Sequence, residues 1–253
     1  MIRALVRVLL LATLLLSGCG VEPGTTVDDG KRPKDLQLSR APLGATPDPG
    51  DTVLVQRLLS DVDTVRAVTH AMTFTVTGYF LDEKTGQAGS SLADFCYERP
   101  EKTSIKIQQS SDGKTVGTKL VWMGGKQLAV KTKFLGFWVK TSIDVHDPRA
   151  KDGRGFFIDE TGITQTLDTL TDPRNQVKLL GTGYLGGVPV AQLEVVSPRS
   201  LRGIRREVFY VDGQRKIPLI REMYDQQNRM VFRVRMDHVV LNPALPPTTF
   251  QLE

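Results

Sequence analysis

The chain has 253 residues, 40% of them apolar and 24% charged, which is ordinary for a folded protein and enough for one or two domains. Its 33 basic residues exceed its 28 acidic ones by five, and by three once Arg3 and Arg7 of the opening segment are set aside, which argues against a nucleic-acid partner. Two cysteines and three histidines exclude a disulfide framework and a histidine-rich metal site.

Arg3 and Arg7 precede the apolar run Val8–Leu16, interrupted by Thr13 alone. That run is about half of the roughly 20 residues a bilayer-spanning helix needs, so residues 1–18 are expected to form a secretory signal and not a span. The four residues Leu16-Ser17-Gly18-Cys19 resemble the lipobox of bacterial lipoproteins. That resemblance implies cleavage before Cys19, diacylation of its sulfur and lasting attachment to a membrane. Gly20, standing where an aspartate would retain the protein at the inner membrane, implies an outer-membrane address facing the periplasm.

Residues 19–50 carry five prolines and five glycines without apolar periodicity, and are expected to be a flexible tether with a mean reach of roughly 30 Å. The folded domain is then 51–253. Asp51 and Thr52 offer N-cap oxygens, and Val55, Leu58, Leu59, Val62 and Val65 recur at helical spacing, which predicts one amphipathic helix to about Val68. The period changes at once to two: Met72, Phe74, Val76 and Phe80 alternate with Thr73, Thr75, Thr77 and Tyr79. Further strands are predicted at about 90–98, 103–109, 116–123 and 126–132, separated by turn-forming residues. Near 160–181 the helical period returns through Ile163, Leu167 and Leu170, and Thr171-Asp172-Pro173 reads as the cap of a second short helix ending near Gly181. Four strands follow, within 187–196, 206–212, 216–225 and 229–241; in the last, Met230, Phe232, Val234 and Met236 face one way and Val231, Arg233, Arg235 and Asp237 the other.

Helix, five strands, helical insertion and four strands, with no βαβ alternation, predict an α+β fold: mainly β, a single strongly curved antiparallel sheet forming an open half-barrel around two or three helices. The stretch "REVFYVDGQRKIPLIREMYDQQNRMVFRVRMDHVVLNPALPPTTFQLE", with "YFLDEKTGQAGSSLADFCYERPEKTSIKI" and "DPRAKDGRGFFIDETGITQTLDTL", resembles the LolA/LolB-like superfamily of bacterial lipoprotein and lipid carriers, and most nearly an uncharacterised family within it. The resemblance covers residues 51–253. It implies an open half-barrel with helices as a lid, lipid or lipoprotein ligands, or, as in relatives that regulate signalling, an envelope protein or cell-wall partner. It assigns no catalytic residue.

Groups able to carry covalent chemistry are sparse. Cys96 lies in mid-strand in "LADFCYER", where a lone cysteine usually serves as a small apolar residue. Residues 89–91 ("GSS") lack the context of a nucleophile elbow, and "GGK" at 124–126 lacks the rest of a phosphate loop. Asp144, His146 and Asp147 in "IDVHDP" imitate a metal cluster but belong to a proline-terminated loop. No enzyme, cofactor or metal is expected.

Two stretches suit a binding protein. In "KFLGFWVK" the residues Phe134, Leu135, Phe137, Trp138 and Val139 are bracketed by Lys133 and Lys140, which fits either a buried segment under the sheet or a loop at a cavity mouth or membrane. In "SPRSLRGIRRE", Arg199, Arg202, Arg205 and Arg206 either clamp an anionic group or form a solvated loop. Ligand contacts on the concave face are expected from Met72, Phe74, Val76, Leu120, Trp122, Phe232 and Val234, joined by Phe134, Phe137 and Trp138 at its mouth; the same alternation also describes a packed core. The expected function is that of an anchored envelope lipoprotein holding an acyl chain or the lipid of another lipoprotein, the alternative being an adaptor for an envelope partner.

Overall fold

The computed structural model describes residues 30–40 and 49–253. The signal segment and Cys19 lie outside the described residues. Among the described residues twelve strands form one sheet: β1 (Leu36–Arg40), β2 (Ala71–Leu81), β3 (Ala88–Glu98), β4 (Lys102–Ser110), β5 (Lys119–Trp122), β6 (Gln127–Phe134), β7 (Phe137–Asp144), β8 (Gln176–Leu185), β9 (Val188–Val196), β10 (Arg206–Asp212), β11 (Pro218–Tyr224) and β12 (Met230–Leu241). Helix α1 (Pro49–Val68) precedes β2, and α2 (Ile158–Thr161) and α3 (Ile163–Thr171) lie between β7 and β8.

The spatial order is β1-β8-β9-β10-β11-β12-β2-β3-β4-β5-β6-β7, with every neighbouring pair antiparallel. β1 and β7 are its two edges and do not meet, so the sheet is open. Two meanders, β2–β7 and β8–β12, join through the β12·β2 pair at the middle. This is the predicted single antiparallel sheet with few helices.

The pairing registers assign each side chain to a face. On the concave face Leu193, Val195, Phe209 and Val211 pack against Val55, Leu58 and Val62 of α1 and Leu167 and Leu170 of α3. Trp122, Leu128 and Val130 are covered by Val145, with Ala150 and Ile158 beside them. The five apolar positions predicted in α1 are those that pack inward or beside this core, Val65 toward the neighbouring cluster around Met72. Its ends agree with its charges, Asp51 in the first turn and Arg66 in the last.

Three elements depart from expectation. The predicted tether runs to residue 50, yet Leu36–Arg40 form β1 against β8, and Pro49 and Gly50 already belong to α1. The predicted second helix from Thr171 to Gly181 is absent: Asp172–Asn175 make a turn closed by Asn175 N–H donating to the Asp172 carbonyl, and 176–185 is strand β8. The apolar run at 134–139 is neither buried nor a loop, but the tight end of the β6–β7 hairpin.

The arm ahead of β1 crosses the convex face. Arg233 Nη1 donates to the Lys31 carbonyl at 2.6 Å, Arg235 forks onto the Asp35 carboxylate with two bonds of 2.7 Å, and Gly30 lies against the Tyr79 ring. Leu36 is buried with Leu185, Val190 and Tyr210. β1 reaches this seat because position 183 has no side chain: a Cβ there would stand 2.0 Å from the Gln37 carbonyl oxygen. Gly183→Val is therefore expected to expel β1 while leaving the other strands paired, seen as new protease cleavage within residues 30–40.

Arg235 holds the Asp35 carboxyl below its ordinary range, chiefly through its side-chain hydrogen bonds. A lowered carboxylate pKa contributes stability above the unfolded value, about 4, which is lost as pH falls through the folded one. Amide exchange in residues 30–38 is expected to accelerate below about pH 4 ahead of the core strands, and Asp35→Asn should remove that pH dependence.

Candidate functional site

The concave residues proposed as ligand contacts occupy three environments. Met72, Phe74 and Val76 are buried with Tyr97, Met236 and Val239, and Phe74 stacks on Phe95 with ring centroids 5.3 Å apart. Phe232 is buried with Phe156, Met223 and Val231, and half-buried Val234 packs between these two groups. Trp122, with half-buried Leu120 beside it, lines a cavity of about 580 Å³ at the opposite end, where its indole N–H donates to the Gly125 carbonyl. Helices α1 and α3 fill the space above β8–β11 that an open concavity would leave to a ligand.

Under α3 the concave face carries a buried ion pair. Arg221 Nε lies 2.6 Å from Glu207 Oε2, both side chains 3% exposed, and Arg221 Nη1 donates to Thr166 Oγ1 of α3 at 2.9 Å. Two buried charges repay their desolvation only when their hydrogen bonds are met, as they are here. The pair forms part of the wall of a 220 Å³ cavity with Arg199 and Asp172.

A second, more apolar groove of about 630 Å³ runs between the first half of α1 and the β8–β9 end of the sheet. Leu54, Leu58, Pro189, Ala191 and Tyr184 line it, with Arg57 and the ion pair of Asp61 and Lys216 (3.5 Å) at its rim. Leu54 and Tyr184 are exposed, so an apolar surface is open at its mouth. The volume falls in the roughly 300–1,000 Å³ range of small-ligand sites. None of the proposed contact residues lines this groove; the signal available in the sequence was Leu54, which belongs to α1 but lies off its buried face.

The hairpin tip is the other exposed apolar feature. Phe134 and Phe137 close a two-residue turn with Leu135 at φ 47° and Gly136 at φ 87°. Such a turn favours Asn-Gly, and a leucine in the left-handed region costs about 1–2 kcal/mol. Leu135 is nevertheless 77% exposed, Phe137 76% and Trp138 49%, so no burial in this chain offsets the strain.

The arginines do not converge on one point. Arg202 reaches Glu83 at 3.0 Å, Arg206 stacks over the Tyr224 ring at 3.9 Å and pairs with Glu194, Arg199 borders the 220 Å³ cavity, and Arg205 is exposed. The His146 ring is 2.8 Å from Asp159, whereas Asp144 accepts from the His146 backbone N–H and Asp147 binds Arg149. Among the described residues no three metal-ligating side chains come together. Burial, aided by the Asp94 charge, pushes the Cys96 thiol up, away from the thiolate a nucleophile requires.

No protein-family model matches the sequence, and no curated protein does. Solved structures of similar shape include an uncharacterised conserved protein from Thermus thermophilus (12% identity, 79% of this chain and 94% of that one, TM-score 0.49). The Mycobacterium tuberculosis lipoprotein LppX is 11% identical over 76% of this chain and 98% of its own, with a TM-score of 0.45. A putative outer-membrane lipoprotein-sorting protein domain from Vibrio parahaemolyticus is 12% identical over 78% and 97%, with a TM-score of 0.43.

Removing one member of the ion pair under α3 strands the other. Arg221→Met is expected to cost about 3–5 kcal/mol, and the double substitution Arg221→Met/Glu207→Leu to recover most of it. Urea denaturation of the three proteins measures both.

Proposed function

We propose that the chain is a lipoprotein anchored through Cys19 to the outer membrane, facing the periplasm, and that it binds an acyl chain or other lipid without transforming it. The groove beside α1 carries this reading. It pairs apolar walls with charged groups at the rim, as an acyl chain with a polar head requires. The buried concave residues Met72, Phe74, Val76 and Phe232 then form the floor that holds the sheet in shape, while Leu54 and Tyr184 meet the ligand. The raised Cys96 thiol supports binding over covalent chemistry.

A second reading, an adaptor for an envelope protein, draws on β7. This edge strand is exposed along most of its length and pairs on one side with β6, leaving the other side open to strand addition among the described residues.

Acyl occupancy separates the two. The purified protein is expected to carry lipid detectable by mass spectrometry and to take up a fluorescent fatty acid. Leu54→Arg, a surface change at the groove mouth, should weaken that uptake about tenfold, since burying a leucine is worth roughly 1.5–3 kcal/mol. A wild-type protein that neither carries nor accepts an acyl ligand overturns the lipid reading.

A further inference from the structure

The chain's positive charge is concentrated in one place. Residues 102–144, strands β4 to β7 with their turns, hold eight lysines and two aspartates, a balance of +6. The formal charge of the chain is +5, so everything else sums to −1.

The pairing registers turn this excess into a pattern. Lys106 stands opposite Lys119, Lys119 opposite Lys131, and Lys131 opposite Lys140, one residue from each of four successive strands. Directly paired residues share a face, here the convex one opposite Leu120 and Val130, so the four ammonium groups form a row about 15 Å long. Like charges placed opposite one another destabilise a sheet. Little in the chain offsets them: Asp94 faces Lys106 but is bonded by Gln108, Lys131 donates to the Glu253 carbonyl, and no carboxylate lies within ion-pair distance of Lys106, Lys119, Lys133 or Lys140 among the described residues.

The row leads to the hairpin tip. Lys131 lies 5.5 Å over the Trp138 ring, Trp138 pairs across the hairpin with Lys133, and Leu135 and Phe137 project beyond them. A soluble polyanion would meet the lysines and have no use for exposed leucine, phenylalanine and tryptophan. A bilayer with anionic headgroups meets both, taking the apolar tip into its interface while the lysines engage headgroup phosphates.

We propose that the β4–β7 wing docks on an anionic membrane surface, with Leu135, Phe137 and Trp138 entering the interface and Lys106, Lys119, Lys131, Lys133 and Lys140 binding the headgroups. The proposal rests on the anchored-lipoprotein reading, and supplies the contact that orients the tethered domain against its bilayer.

The test uses the full lipidated chain reconstituted in vesicles whose lipids carry bromine on the acyl chains, and reads tryptophan quenching. Trp122 is buried and serves as background, fixed by comparison with Trp138→Phe. Quenching that depends on Trp138 is expected in vesicles containing phosphatidylglycerol, to be absent in phosphatidylcholine alone, and to disappear in high salt. Replacing Lys106, Lys119 and Lys140 with glutamine should lower the docking equilibrium constant about 100-fold, at about fivefold for each lysine, and the same three changes to arginine should preserve it. Circular dichroism confirms that these surface variants stay folded. Equal quenching in both vesicle types, or none in anionic vesicles that the chain occupies, overturns the proposal, as does heparin retention unchanged by Leu135→Asn with no quenching. Vesicle flotation reports the anchor and fatty-acid uptake reports the groove, so failure of either is distinguishable from failure of the wing.

Discussion

Two adjacent side chains on β11 are the constraint around which the layers are arranged. Arg221 and Glu222 point to opposite faces of the sheet, and neither is left in water. Arg221 takes Glu207 from β10 and the Thr166 hydroxyl from α3, which fixes the helical insertion onto the concave side. Glu222 takes Arg233 from β12 at 2.9 Å and the Tyr224 hydroxyl at 2.7 Å, while Arg233 also holds the arm at Lys31. Charges buried this deeply tolerate few arrangements, because a displaced partner leaves an uncompensated ion. Charge pairing on one central strand thereby specifies where both coverings of the sheet must lie.

The coverings are unequal, and that inequality divides the molecule into regions of different character. Over β8–β11 the concave side is closed by two helices, which leave a groove at the α1 margin and a smaller cavity beside the Arg221–Glu207 pair. Over β5 and β6 the cover is slighter, the 145–158 segment on Trp122 and Leu128, and it stops short of the hairpin. The last strand projects with exposed residues on both faces. Among the described residues a sheet of twelve strands outruns the helices that cover it, and its uncovered end is where the lysines and the strained leucine lie.

How much of this was legible in the sequence follows from where burial is one-sided. Alternation in Met72–Val76 and in Met230–Met236 announced β2 and β12 because apolar residues line one face of each and mostly polar ones the other, even where the arm buries Arg233 on the outer face of β12. β7 has no such contrast, so "FWVKTSID" carried no strand signal, and its aromatic run fitted a core equally well. β8 was hidden because Thr171-Asp172-Pro173 has the chemistry of a helix start; here Asp172 caps a turn by accepting from the Arg174 backbone N–H. β1 was hidden for a different reason, since its partner lies some 145 residues away and its surroundings are rich in proline and glycine. The register puts Arg233 and Arg235 on the face opposite Phe232 and Val234, as their alternation predicts, but the arm that covers that face has no local signature. The groove beside α1 arises from how a helix and a distant sheet edge are spaced, which no periodicity records.

The arm also decides how force enters the molecule. β12 and β2 are the sixth and seventh of twelve strands, and the arm's bonds to Arg233 and Arg235 and its contact with Tyr79 fall on these two. A pull applied at Gly30 is therefore delivered near the midline of the sheet and not at its β1 edge. Held that way, the domain behaves as a balanced beam: a load arriving at Gly30 exerts little turning moment about either end of the sheet. An interaction at one tip, weak in itself, is then enough to choose the tilt.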